Sequence, residues 1–178
     1  ALETLRYYRC AEPPIKYSHF LVLDAETRSK ILHDLPHRQQ LVACLAFCFM
    51  PNHFHFLLQQ LANNGIAKFM SNFQNSFTRF FNIRHERIGP LFLDQFKAVR
   101  IETDEQLMHV SRYIHLNPFT GFVVRSLEEL EHYPWSSFAE YSIPSALFNT
   151  NISDPSQILA YFRSYAAYKE FVFDQAEY

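Results

Sequence analysis

The sequence predicts an α+β fold, an antiparallel sheet with helices packed on it, and three stretches carry that expectation. Residues 41–50, "LVACLAFCFM", are an unbroken apolar run, the pattern of a strand buried on both faces. Pro51-Asn52 supplies a turn dipeptide, and "HFHFLLQQ" over 53–60 then alternates, so the two runs read as a hairpin. Beyond the Asn63-Asn64-Gly65 break, Ile66, Phe69, Met70, Phe73, Phe77, Phe80 and Phe81 recur at helical spacing. They predict one long helix to about residue 84, with the whole stripe in the core and covering the sheet. Thr103-Asp104-Glu105-Gln106 has the form of a capping box and opens a second helix, with Leu107, Val110 and Ile114 on its buried side. Because Pro118 disfavours the α region in the residue before it, that helix is expected to end at Asn117.

The remaining elements follow from weaker signals. Asp24 is a plausible N-cap for a helix over 25–35, with Ile31, Leu32 and Leu35 on one face. "LFLDQFKAVRI" (91–101), after Gly89-Pro90, reads as a further strand. Ser136 and Ser137 look like a helix N-cap, and 156–173 reads as a tail helix. The segment before residue 41 lacks a tidy strand, so a first strand is expected to be lost or irregular.

With 178 residues, 48% of them hydrophobic, the chain can fill one core. One domain over 1–125 with an extension, 126–178, packed on it is expected. No apolar run reaches the roughly 18 residues of a membrane span, and "ALETLRYYRC" lacks the layout of a secretory signal. The chain begins on Ala, so residues upstream are expected. Cys44 and Cys48 sit too far apart on an extended strand, roughly 13 Å, to bridge. Three cysteines without CxxC spacing fit buried thiols in a reducing cytoplasm and argue against zinc. Net charge is −2, but its distribution is uneven. Residues 66–100 hold six bases against two acids, whereas 126–178 hold two bases against eight acids. That leaves room for a local anionic ligand, or for a solvated basic face beside an acidic tail.

His53 and His55 carry the chemistry. Side chains alternate on a strand, so both point one way, roughly 6.6 Å apart along the backbone, while Phe54 and Phe56 point the other way, into the core. Two imidazoles at that spacing can converge on one divalent ion but need a third ligand; they also suit a half-exposed polar strand face. On the second helix Gln106, His109, Tyr113 and Asn117 share one polar face opposite the apolar stripe. Such a face could deliver a tyrosine hydroxyl and an amide oxygen to a metal, and a tyrosine beside a metal-bound phosphate is a competent nucleophile. A tyrosine at a core rim is the plainer alternative. His109 could orient Tyr113 or a phosphate, with a structural role the leading reading, while His115 points away from Tyr113 and reads as structural. Trp135 reads as packing ahead of stacking on a base, and Asn52 as shaping the turn ahead of touching DNA.

These residues resemble a known family. "MPNHFHFLL" resembles the His-hydrophobic-His (HUH) motif of single-tyrosine transposases, and "RYIHLNP" (112–118) resembles the segment that carries their nucleophile. The similarity extends through 69–99 and "NPFTGFVV" to "YPWSSFAEY" (133–141), closest to the REP-associated tyrosine transposase branch, and spans about 41–141 with a looser echo in "YAAYKEFVF". The resemblance implies a ferredoxin-like HUH nuclease fold in 1–125, His53 and His55 as metal ligands, and Tyr113 as nucleophile. Asn117 stands where transposon-borne relatives have a metal-completing glutamine. It further implies Mg²⁺ or Mn²⁺, and transesterification of single-stranded DNA that leaves a 5′-phosphotyrosine and a free 3′-OH. The implied substrate is the hairpin of repetitive extragenic palindromes, bound by a monomer or homodimer away from any membrane. Arg79, Arg84, Arg87, Lys97 and Arg100 are the expected DNA contacts. A non-catalytic hairpin-binding or regulatory protein on the same fold is the alternative, and a structural metal-binding domain the plainest one.

Overall fold

A computed structural model describes residues 1–92, 96–142 and 152–176. Along the chain run α1 (Leu2–Tyr8), α2 (Tyr17–Phe20), α3 (Ala25–Asp34), a 3-10 turn (Leu35–His37), β1 (Val42–Phe49) and β2 (Phe54–Gln60). They are followed by α4 (Gly65–Arg84), α5 (Asp104–Thr120), α6 (Leu127–Glu131), α7 (Phe138–Ser142), α8 (Ser156–Leu159) and α9 (Tyr165–Phe173). The architecture is mixed helix and strand, with a two-stranded antiparallel sheet packed with helices. The chain divides into two compact units, residues 1–43 with 59–98, and residues 44–58 with 99–178.

In the first unit, Tyr7, Cys10, Phe20 and Leu35 form a buried cluster, with Ile15, Tyr17, Ile31 and Leu32 packed against it. Asp24 caps α3, its side chain accepting from the Thr27 amide at 2.9 Å, as the sequence suggests. No first strand forms among the described residues upstream of β1; Cys10 makes only an isolated bridge to Gln40. α4 opens at Gly65, where any Cβ would lie 2.2 Å from the Leu41 carbonyl oxygen, so only glycine fits. Its stripe is core only along the first half: Phe69, Met70 and Phe73 are buried, but Phe80 is 48% exposed. The reason is the length of the helix, which outruns its packing partners in this unit, leaving Phe80 and Ile83 on an open groove walled by Tyr8 and Pro14.

The strand expected at 91–101 is not formed. Its described residues, 91–92 and 96–101, make no ladder pairing, and 93–95 lie outside the described residues. Alternation makes a strand only where a neighbour takes up its backbone hydrogen bonds, and here Val99 is 87% exposed.

In the second unit β1 is buried from Cys44 through Cys48, as its apolar run predicts, and Cys44 and Cys48 are free thiols. Among the described residues no third strand joins the sheet; the edge of β1 away from β2 is met by residues 133–141 and 154, with an isolated bridge between Cys48 and Ser136. Ser137 N donates to Phe47 O at 3.0 Å, Phe49 N to Trp135 O at 2.8 Å and Asp154 N to Cys44 O at 2.8 Å. The hydroxyls of Tyr133 and Tyr141 donate to Phe49 O and Leu45 O. These bonds satisfy an edge that would otherwise template pairing with another chain.

Thr103 caps α5 by accepting from Gln106 N at 3.2 Å, and the Gln106 side chain accepts from Glu102 N at 2.8 Å. The helix does not stop at Asn117 but runs to Thr120 with Pro118 inside it. Proline removes one amide bond and disfavours the α region at Asn117, yet the last turn is closed by other donors. Gly121 N bonds Asn117 O at 2.8 Å, and Val123 and Val124 both donate to Pro118 O. The expected tail helix is two pieces, α8 and α9. Ser164 interrupts it as an N-cap, accepting from Ala167 N at 3.1 Å.

Candidate active site

β2 starts just after His53, and strand alternation puts His53, His55 and Leu57 on one side. The two imidazoles lie edge to face, centroids 4.9 Å apart. Phe54 and Phe56 take the other side, stacked at 4.7 Å, but they are half-buried and not core as the alternation suggests. Phe49 packs against both, its ring 6.2 Å from that of Phe54 and 5.4 Å from that of Phe56.

α5 carries Tyr113 to the histidines. Its ring stands edge-on to His55 at 5.3 Å. Within residues 111–118 every side chain is buried except Tyr113, which is 57% exposed. Among the polar-face residues, Gln106 and His109 are exposed and Asn117 is buried, one turn beyond Tyr113. Arg112, beside it, is buried against α9: it bonds His109 Nδ1 at 2.8 Å and lies 4.3 Å over the Phe171 ring.

The nitrogen chemistry fits metal ligation. Asn52 Oδ1 lies 2.6 Å from His53 Nδ1; an amide oxygen only accepts, so the proton is on Nδ1 and the Nε2 lone pair is free. A polar partner on the far nitrogen is the usual way a metal-binding histidine is oriented. His55 Nε2 is buried with no hydrogen-bond partner among the described residues. Leaving such an atom unsatisfied costs about 1–3 kcal/mol, which a bound ligand would recover. Burial, and secondarily the neighbouring His53, hold the His55 pKa below the ordinary histidine value, so the ring is neutral and able to ligate. Among the described residues no cluster of three or more His, Cys, Asp or Glu exists. The Asn117 amide is a hard oxygen on the helix that bears Tyr113.

A family model described as "Transposase IS200 like" matches residues 15–117, more than half of the chain. The chain belongs to the IS200-like transposase family. No curated protein and no solved structure matches it. The match begins well upstream of residue 41, taking in α2 and α3, and stops at Asn117, before α6 to α9. As an IS200-like transposase the protein acts on DNA, in transposition that proceeds by DNA cleavage, and metal dependence is general in the family. No helix among the described residues is long and apolar enough to cross a membrane.

Of the residues read from the sequence, this IS200-like transposase brings His53, His55 and Tyr113 together in the second unit, where Asn117 and Arg100 also lie. Arg79, Arg84, Arg87 and Lys97 belong to the first unit. All five bases are exposed, and among the described residues none pairs with a carboxylate.

Three features escaped the sequence reading. Asn52, taken only as a turn residue, holds His53; its position directly before the first histidine was the available signal. Ser136 and Ser137 stand at the start of α7, where Ser136 Oγ accepts from Phe138 N at 3.2 Å, but the Ser137 hydroxyl is engaged with Phe47 and His115. Trp135 is 47% exposed, not packed away. His115 is fully buried and bonded at both nitrogens, and burial pushes its pKa down to about 3. It is structural, as read, but through partners 22 and 53 residues away that no local pattern reveals.

Proposed function

We propose that this IS200-like transposase cleaves and transfers single-stranded DNA at hairpins of repetitive palindromic type, with Tyr113 as nucleophile. The observation that carries the reading is Tyr113, the one exposed side chain of the buried stretch 111–118, held edge-on to a histidine whose Nε2 has no hydrogen-bond partner among the described residues. His53, His55 and the Asn117 amide would hold Mg²⁺ or Mn²⁺. Bound there, a divalent cation supplies charge neutralisation at the oxygens of the scissile phosphate and favours the phenolate.

Tyr113 Oη loses its proton and forms a bond to phosphorus as the bond from phosphorus to the 3′ oxygen breaks. That oxygen takes up a proton and leaves as a 3′-OH, and the 5′ phosphate stays on the tyrosine. Attack by a 3′-OH on the phosphotyrosine reverses these events and joins strands. The phosphodiester count is conserved, so no external energy source is needed. Arg79, Arg84, Arg87, Lys97 and Arg100 contribute phosphate contacts that position the DNA without reading its sequence. The test is to incubate the protein with Mn²⁺ and a labelled hairpin oligonucleotide bearing a single-stranded foot. A complex that survives denaturation, together with a released strand that carries a new 3′-OH end, is the expected product. Tight binding without such a complex in either metal supports a hairpin-binding protein instead.

A further inference from the structure

A chain of hydrogen bonds runs through the second unit behind Tyr113, and its proton directions can be assigned. Ser111 Oγ donates to Met108 O at 2.8 Å, so it receives the Tyr168 hydroxyl proton at 3.2 Å. Tyr168 has then used its only proton, and at 2.6 Å its oxygen must accept from His115 Nδ1–H. With the proton on Nδ1, His115 Nε2 accepts the Ser137 hydroxyl at 2.7 Å, and Ser137 Oγ in turn accepts Phe47 N–H at 2.9 Å. The other acceptor in reach of Ser137, Phe47 O, lies farther at 3.2 Å and already takes Ser137 N–H. One neutral imidazole thus joins β1, α5 and α9, with every buried atom of the chain satisfied.

His115 is two residues from Tyr113, roughly 200° around the helix axis, so it faces the opposite side. We propose that His115 is a positioning residue for the nucleophile. Its bonds to Ser137 and Tyr168 fix the rotation of α5 about its axis, and thereby the direction in which Tyr113 leaves the helix toward His55. The contacts close a circuit: β1 to Ser137 to His115 to α5, then Tyr113 to His55 on β2, the hairpin partner of β1. Arg112, buried under Phe171, ties the same turn of α5 to α9. The proposal makes α9, which lies outside the matched family region, part of the catalytic apparatus. It rests on Tyr113 being the nucleophile.

The test has two arms. In metal-free protein, nuclear Overhauser contacts between the Tyr113 and His55 rings report the orientation of the helix, with the His53–His55 contact as internal control. In the second arm, the single-turnover rate of adduct formation on a hairpin oligonucleotide with Mn²⁺ is compared with the dissociation constant for that oligonucleotide. His115→Phe and Tyr168→Phe should weaken the Tyr113–His55 contact. They should also slow adduct formation about 10- to 100-fold while hairpin affinity stays unchanged, since a small misplacement of a nucleophile is costly. His115→Gln, which can accept and donate in the same place, should recover most of the rate. If His115→Phe does not fold, Tyr168→Phe, which removes one oxygen, decides the matter. An unchanged ring contact and rate in folded Tyr168→Phe would overturn the proposal. Should wild type form no adduct, the catalytic reading fails, and the ring-contact arm alone still decides whether His115 sets the helix.

Discussion

The Tyr113 ring stands edge-on to the His55 ring, at 78° with centroids 5.3 Å apart, although 57 residues separate them in sequence. Two elements of different periodicity, a strand of alternating residues and a capped helix, meet at that contact. Its surroundings yield several expectations.

Asn52 orients His53 through Nδ1, which leaves Nε2 to ligate. Asn52→Ala should lower Mn²⁺ affinity about 10- to 100-fold, the usual effect of removing such a partner. Titration calorimetry on the metal-free protein measures it. Unaltered affinity would mean that the turn amide only shapes the hairpin.

Phe73 is 1% exposed and Phe80 48% exposed on the same helix. Phe73→Ala should cost about 3–5 kcal/mol through lost burial and a residual cavity. Phe80→Ala should cost no more than about 0.5 kcal/mol. Denaturant melts of the two variants test the difference directly, and equal losses would show that the open groove beside Phe80 is closed in solution.

The five exposed bases predict steep salt dependence of DNA binding. Replacing any one true phosphate contact among Arg79, Arg84, Arg87, Lys97 and Arg100 should reduce the log–log salt slope by about 1. A flat response in wild type would identify these bases as a solvated face.

His115 is neutral when folded, with its pKa pushed down to about 3, and takes up a proton near pH 6.5 when unfolded. Between those values the unfolded state binds more protons, so stability is full above about pH 6.5. It falls by about 1.4 kcal/mol per pH unit as pH drops toward 3. Urea melts from pH 8 to pH 4 should show that slope, and His115→Gln, which does not titrate, should lessen it by about one proton's worth.

Legibility followed the range of the interactions. β1, β2, α3, α4 and the start of α5 were readable because each is fixed by local periodicity, a turn dipeptide or a cap. The unformed strand at 91–101, the exposed end of the Phe stripe and the run of α5 past Pro118 depend on what lies alongside, and a single sequence does not encode that locally. The candidate site divides the same way. His53 and His55 declare a shared direction by their spacing, and Tyr113 and Asn117 share a helix face. The meeting of strand with helix, and the Ser137–His115–Tyr168 chain behind it, join residues far apart in the chain. Ser136 and Ser137 do stand at the start of α7, but the Ser137 hydroxyl goes to tertiary partners that a local rule does not reveal.

The most direct test of the account is a denaturing gel of wild type and Tyr113→Phe after incubation with a labelled hairpin oligonucleotide and Mn²⁺. Tyr113 is exposed, so losing its hydroxyl should leave folding and hairpin binding intact. The account predicts a covalent protein–DNA band for wild type, its mass increment mapping to Tyr113, and no band for Tyr113→Phe at any Mn²⁺ concentration. The same band from both proteins would assign the chemistry to another residue and contradict it.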